Sequence, residues 1–368
     1  MSANQLKVSL VQSNSIVGGA SSNAECVLIK ANEAEKKGSD LIVFPEMFLS
    51  GYQPLDLVNK GSFLEDIFIQ VQNIAQKTHK LNIRILIGAP WRLDNKIYNA
   101  FISIHKGSIK TVSKKSHLPN YDVFDEKRFF APGNGLDVLD LGDIKIGFPI
   151  CEDAWHPDII GGFKKLGADL IIIPNGSPYE TNKLFDRKKI IKNRCKETNL
   201  PIIYLNLVGG QDDLVFDGGS FVFDNRGVTV CQFPQFEEKT QQVIFEKREH
   251  AWVPSSSSLA DIGSHSSQDY KAIVLGLRDY VLKSNFHKVV IGLSGGIDSA
   301  LVAAMAVDAL GSDNVVCLAL PSKFNSRASL DDANQLSENL GVTLETIPIQ
   351  EIIDKADELL APLFVGKK

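Results

Sequence analysis

The sequence predicts an α/β protein of two unequal units, and three observations predict it. The chain has 368 residues, more than one ordinary domain of roughly 100–200 residues uses. Short runs rich in Val, Ile and Phe recur from Leu6 to about Phe245, with helical stretches between some of them. Near-continuous apolar strands mixed with helices imply sheets covered by helical layers. Residues 251–268 then turn serine-rich (PSSSSLADIGSHSSQ from Pro254), as an interdomain linker would. The expected division is 1–250, a linker at 251–268, and a second unit at 269–368.

The elements follow in order. LKVSLVQ opens as a strand, and residues 23–37 place Ala24, Val27, Leu28, Ala31 and Ala34 on one helical face. Ser22 or Asn23 is the expected N-cap and Gly38 the stop. Further strands are DLIVFPE, IRILIGAP, AFISIH, IKIGFPI, DLIIIPN, PIIYLNL and GSFVFD. Gly38 to Glu46 and Gly167 to Asn175 share the pattern G-x-D-L-I-[VI]-x-P. Each reads as a helix stop, a buried strand and a proline at the strand end, followed by a polar residue, Glu46 or Asn175. Such an echo suits a two-sheet sandwich whose strand ends meet, and loops after strand ends are where functional groups collect. After the serine-rich break come a helix at 270–282, the strand VVIGLS, a glycine turn, a helix from about Ser299 and the strand VVCLALP. A helix near 331–340 and TLETIPI complete a βα repeat, which implies a parallel sheet.

Composition removes several function classes. Charged residues are 23% and the formal net charge is -5, so no basic surplus points to nucleic acid or an anionic membrane. No apolar run approaches the roughly 20 residues that cross a bilayer, and MSANQLKVSLVQ lacks a signal-peptide core; a cytoplasmic protein is expected. Five cysteines, with no CxxC pair, argue against a disulfide framework and a zinc site. Cys151 differs from the others by its position at a strand-to-loop corner, where backbone N–H groups can favour a thiolate. A lone cysteine there is otherwise an ordinary small buried residue.

Taken together, Phe44-Pro45-Glu46, Lys115-Ser-His-Leu118 and Cys151-Glu-Asp-Ala-Trp155 resemble the motifs of the nitrilase, or carbon–nitrogen hydrolase, superfamily over roughly residues 5–250. The resemblance implies an αββα sandwich, with Cys151 as nucleophile, Glu46 as general base and Lys115 as the cation facing the oxyanion. Glu126, in FDEKRFF, matches a second glutamate that supports the lysine and positions substrate. LPNYDVFDE, CEDAW and NGSPYETNK are similar to the glutaminase branch of that superfamily, in which Tyr121, Ser177 and Lys183 would contact glutamine.

The second constellation is Ile291-Gly-Leu-Ser-Gly-Gly-Ile-Asp-Ser-Ala300. Adjacent glycines and a helix start make a phosphate cradle. The loop lacks the lysine of GxxxxGK[ST] and does not match GxGxxG. SGGIDS after a buried strand resembles the pyrophosphate loop of N-type ATP pyrophosphatases, or adenine nucleotide alpha-hydrolase-like domains. That implies ATP held by Ser294, Gly295, Gly296 and Ser299, with Asp298 toward Mg²⁺.

The two halves on one chain resemble the glutamine-dependent NAD synthetases. The implied reaction passes ammonia from glutamine to ATP-activated deamido-NAD, giving NAD, AMP, pyrophosphate and glutamate, commonly in a homo-oligomer. About 100 residues follow Tyr270, fewer than such a domain uses, so the sequence reads as C-terminally truncated, retaining the glutaminase chemistry alone. The alternatives are a free-standing amidase with a vestigial nucleotide-binding tail and a non-catalytic nucleotide-binding remnant.

Overall fold

A computed structural model of the protein describes residues 4–249, 251–255, 257–363 and 365. The chain begins β1 (Gln5–Gln12), α1 (Ala20–Lys36), β2 (Leu41–Val43), α2 (Gly61–Lys77), then β3 (Arg84–Leu93), β4 (Lys96–His105) and β5 (Ser108–Lys114). A second series runs β6 (Val138–Asp140), β7 (Lys145–Gly147), α3 (Pro157–Lys165), β8 (Leu170–Asn175), α4 (Lys183–Thr198) and β9 (Ile202–Asn206). The hairpin β10 (Val208–Gln211) and β11 (Leu214–Asp217) precedes β12 (Phe221–Phe223), β13 (Thr229–Gln232), β14 (Lys239–Arg248), β15 (Ala251–Pro254) and β16 (Ser258–Leu259). The remainder is α5 (His265–Lys283), β17 (Val289–Gly292), α6 (Ile297–Leu310), β18 (Val315–Ala319), α7 (Arg327–Leu340), β19 (Thr343–Thr346) and α8 (Gln350–Leu360). The chain divides into two compact units, 1–272 and 273–368.

The first unit is a four-layer α-β-β-α sandwich, and side-chain alternation builds it. One seven-stranded sheet runs β15-β14-β1-β2-β3-β4-β5, the other β16-β13-β12-β9-β8-β7-β6. Successive side chains on a strand point to opposite faces. Leu41 and Val43 therefore join Leu170, Ile172, Ile203 and Leu205 in the core between the sheets. Ile42 faces α1 and α2 with Val27, Ala31, Ile67 and Val71, and Ile171 and Ile173 face α3 and α4 with Ile160, Phe163 and Ile191. Both faces of these strands are buried, which explains their unbroken apolar text. In the second unit, β17, β18 and β19 form a parallel sheet in that order. There β17 is an edge, with Val290 largely exposed.

Two expectations are corrected. Helix α1 starts at Ala20 with Gly19 as N-cap and no side-chain cap. Asn23 lies inside the helix, buried, where its amide accepts from the Ile16 N–H (3.0 Å) and donates to Ile16 O (2.8 Å) and Leu49 O (3.1 Å). Its polar group serves the neighbouring loops instead of the helix end. The serine-rich stretch 251–268 is also less of a linker than its composition suggests. β15 pairs antiparallel with β14, β16 pairs with β13, and α5 already begins at His265. Trp252 is buried between the sheets and donates from Nε1 to Asp143 O at 3.3 Å. Short edge strands need few apolar residues, so composition alone could not show them. Among the described residues no helix is long and apolar enough to cross a membrane.

Candidate active site

Four of the residues singled out in the sequence converge at the strand ends of the first unit. Pro45 closes β2, and the turn behind it buries Glu46 completely. β3 runs hard against this turn: a Cβ on Gly88 would fall 2.3 Å from Met47 N and 2.8 Å from Pro45 O, so only glycine fits. Lys115 follows β5 directly, and its backbone is pinned by Lys115 N–H to Asn99 O and Gly133 N–H to Lys115 O, both 2.8 Å. Its ammonium is fully buried between two carboxylates, 2.8 Å from Glu46 Oε1 and 2.9 Å from Glu126 Oε1. Glu46 also accepts from Asn99 Nδ2 and from the Gly176 N–H, each at 2.7 Å. Gly176 follows Asn175, so the two echoed strand ends do meet, through Glu46 and the amide after Asn175. Asn175 itself is structural, donating to Ile173 O and Leu205 O.

Cys151 opens a short 3-10 helix, Cys151–Trp155, in a left-handed backbone conformation (φ 45°). A non-glycine residue there costs on the order of 1–3 kcal/mol, and such strain collects at functional sites. The thiol is almost wholly buried. Burial pushes its pKa well up, the Glu46 carboxylate pushes further, and Lys115 opposes them. A neutral thiol beside a hydrogen-bonded carboxylate can transfer its proton only as it attacks. For Lys115, burial works against the charge, but Glu126 and Glu46 overcome it and hold the ammonium pKa well above its ordinary value.

Burial lifts the Glu126 carboxyl to about 7; Lys115 resists this and Glu46 adds to it. Burial is the largest cause, and one cation shared between two carboxylates does not offset it. Glu126 Oε1 also accepts from Tyr52 Oη at 2.9 Å, while buried Oε2 has no protein partner. Because the folded pKa lies above the ordinary 4.5, the stability this group contributes is complete below that value. It is lost as pH rises through about 7. Urea unfolding of Glu126→Gln at about pH 5 and about pH 8 should therefore show a smaller decline with pH than the parent; an equal decline would mean that Glu126 does not titrate in this range.

Several residues of the site escaped the sequence reading. Asp153, buried, accepts from Ser116 N–H (3.0 Å), His117 N–H (2.8 Å) and Ile150 N–H (3.2 Å), stapling the lysine loop to the cysteine loop. Its place inside CEDAW was the available signal. Asn99 and Tyr52 carried no signal. Arg187 stands in the basic run DRKKIIKNR yet is fully buried, donating to Ser177 Oγ (3.1 Å), Asp217 Oδ1 (2.7 Å), Ser177 O and Pro178 O. Ser177, one residue past Gly176, is therefore engaged by Arg187, and its N–H donates to Asn206 Oδ1. Tyr121 is half exposed and donates to Glu152 Oε2 at 2.9 Å. Lys183, the first residue of α4, pairs with Glu180 at 3.0 Å and lies 5.9 Å from the Trp155 ring centre.

In the second unit the SGGIDS turn joins β17 to α6. Ser294 N–H donates to Ser299 Oγ (3.2 Å), Ser299 Oγ donates to Gly296 O (3.0 Å), and Gly296 N–H donates to Ser294 Oγ (3.2 Å). Gly295 has φ +79°, and a Cβ there would lie 2.1 Å from Ser329 O. A pocket of about 210 Å³ opens beside this loop, lined by Gly292 to Ser294, by Leu318 to Pro321 at the end of β18, and by Ser329. The carboxyl ends of parallel strands are where such sheets bind ligands. Asp298 is exposed in the first turn of α6.

The sandwich with a buried Glu–Lys–Glu cluster beside a cysteine defines a hydrolase of the nitrilase type, and the chain belongs to the carbon–nitrogen hydrolase family, which it matches over residues 7–247. Residues 269–363 match the NAD synthase family. The chain is 42% identical to the glutamine-dependent NAD(+) synthetase of Rhodobacter capsulatus over 98% of its length and 65% of that protein's. It is 37% identical to the corresponding synthetase of Thermotoga maritima, over 99% of this chain and 69% of that protein. On these relatives, it belongs within that superfamily to the glutamine-dependent NAD(+) synthetases. Among solved structures, the glutamine-dependent NAD+ synthetase of Acinetobacter baumannii in complex with ADP matches with TM-score 0.93 at 34% identity, covering 99% of this chain and 68% of that one. The chain thus spans about two thirds of the length of these relatives.

Proposed function

We propose that residues 1–250 hydrolyse the side-chain amide of glutamine, and that the ammonia serves an ATP-dependent conversion of deamido-NAD to NAD involving residues 269–368. The observation that carries the first step is Lys115 held between Glu46 and Glu126 beside the left-handed Cys151. The Cys151 thiol attacks the amide carbon while Glu46 takes its proton. The oxyanion is met by the Lys115 ammonium and by the Glu152 N–H, which sits in the first turn of a 3-10 helix, where amides have no intrahelical partner. Glu46 returns the proton to the departing nitrogen, releasing ammonia and leaving a thioester. It then takes a proton from water as that water attacks the thioester, and returns the proton to the Cys151 sulfur as the C–S bond breaks and glutamate forms. Glu126 holds Lys115 and offers Oε2 to the substrate. Tyr121, Ser177 and Lys183 are the proposed glutamine contacts, and Arg187 Nε donates to Ser177 Oγ at 3.1 Å.

For the second step, the SGGIDS loop supports the reading. Ser294, Gly295, Gly296 and Ser299 would hold the pyrophosphate part of ATP. Asp298 suits Mg²⁺ as a single carboxylate, since that ion is commonly held by one or two carboxylates together with substrate phosphates; it would neutralise phosphate charge there. Gly295→Ala would force an L-residue into the left-handed region against Ser329 O, a strain of about 1–3 kcal/mol. ATP binding measured by calorimetry is expected to weaken about tenfold or more, with glutamate release unchanged.

The deciding experiment measures glutamate released from glutamine by the purified chain and, separately, NAD formed from deamido-NAD with glutamine or with free ammonia. Glutamate release on glutamine in preference to other amides is the expected result. Release from a broad amide panel without preference for glutamine would favour a general amidase, and no release at all would overturn the proposal.

A further inference from the structure

We propose that His117, His156 and Asp158 form a zinc site that ties the lysine-bearing loop to the cysteine-bearing loop. Among the described residues these three are the group whose ligand atoms gather closely enough, all within 4.8 Å of one another. They come from two separate segments: His117 stands two residues after Lys115, and His156 and Asp158 follow the Cys151–Trp155 turn. Nothing in the hydrolysis described above uses any of them.

The backbones of both histidines are held before any ion arrives. Asp153 anchors both histidines through their backbones, its Oδ1 accepting from the His117 N–H at 2.8 Å and its carbonyl from the His156 N–H at 3.3 Å. The imidazoles lie face to face, with ring centres 3.7 Å apart and planes 12° apart. A metal lies in the plane of the imidazole that binds it, so one ring must turn out of this stack for both to share an ion. Glu152 Oε1 stands 3.8 Å from His156 Nε2 and adds negative potential beside the pair. Both histidines are half-buried and Asp158 is exposed, so the third ligand can swing and an ion can enter from solvent.

The donor set selects the metal. Two imidazole nitrogens and one carboxylate oxygen suit a borderline first-row ion, and in four-coordinate zinc they leave one position for water. Zinc bonds of about 2.0–2.1 Å put tetrahedral ligand atoms about 3.3 Å apart. Turning one imidazole out of the stack and swinging the exposed Asp158 carboxylate inward are the movements that would close the present spacing. Mg²⁺ and Ca²⁺, which take oxygen ligands, fit this set poorly. The consequence is mechanical: Tyr121 donates to Glu152 at 2.9 Å and Glu152 stands beside His156, so an ion there would brace the Tyr121 segment as well as the Cys151 turn.

The test is direct binding of Zn²⁺ to the whole chain, measured by competition with a chromogenic chelator in a Cys151→Ala background, so that the reactive thiol contributes nothing. Co²⁺ serves as a second probe, because a four-coordinate nitrogen and oxygen site gives it visible absorption. One tightly held equivalent is expected. His156→Ala and Asp158→Asn should each weaken it about tenfold or more, while leaving the metal-free thermal midpoint near that of the parent. Zinc should raise the midpoint of the parent and not of the variants, as a ligand bound only to the folded state must. Failure to retain one equivalent against the chelator, or unchanged binding in both variants, would overturn the proposal. Since the readout is binding, the outcome is independent of whether the chain hydrolyses glutamine.

Discussion

Cys151→Ala is expected to lower glutamate release from glutamine by about 10⁴-fold or more, because loss of a covalent nucleophile removes the whole two-step route and leaves only positioning and charge. The fold should survive. Cys151 is a small side chain in the core between the sheets, and alanine keeps most of that volume. The same variant supplies a second readout. A diazoketone analogue of glutamine should add one covalent mass increment to the parent chain and none to Cys151→Ala. Cys195, Cys231 and Cys317 are buried and Cys26 half-buried; what sets Cys151 apart is the Glu46 carboxylate and the Lys115 ammonium that act on its thiol. Labelling that persists in the variant, or glutamate release within tenfold of the parent, would rule out Cys151 as the nucleophile.

Lys115→Met should produce both a catalytic and a structural loss. One oxyanion donor is worth about 10²–10³ in rate, so turnover should fall at least that far. Structurally, the ammonium is the cation that Glu46 and Glu126 share, with every side chain at or near zero exposure. Removing one partner of a buried ion pair typically costs about 3–5 kcal/mol, because the other charge stays buried without compensation. The sign with pH follows. Without the ammonium the carboxylates bind protons more tightly in the folded state than in the unfolded, so the variant should be nearest the parent in acid and fall behind it as pH rises. Adding Glu126→Gln to Lys115→Met should recover part of the stability at neutral pH and none of the activity. Chemical unfolding and glutamate release, measured on the same preparations, separate the two roles; recovery of activity in the double variant would mean that Lys115 acts only by balancing charge.

Much of this site was legible before any coordinates. Glu46, Lys115, Cys151 and Glu126 lie in short local patterns whose residue types suit amide hydrolysis, and SGGIDS announces an anion loop between a strand and a helix. The strand runs and the echoed G-x-D-L-I segments likewise carried the sandwich, because strands buried on both faces must be apolar throughout. The edge strands β15 and β16 were illegible, since they require little apolar text. So was the start of α1, where Asn23 looks like a cap and is instead consumed by two loops.

Sequence alone determined which chemical groups this protein carries and where along the chain each follows a strand, since both depend on neighbours within a few residues. Only the tertiary structure decided which of those groups are buried together. Arg187 and the lysines beside it read alike as surface charge, yet Arg187 sits wholly inside with Asp217 and Ser177. Asp153 reads as one acidic residue among several, yet it fastens two loops separated by more than thirty residues. Burial and long-range pairing depend on how the two sheets close over one another, and that closure converts a lysine between two glutamates from ordinary surface charge into the centre of the site.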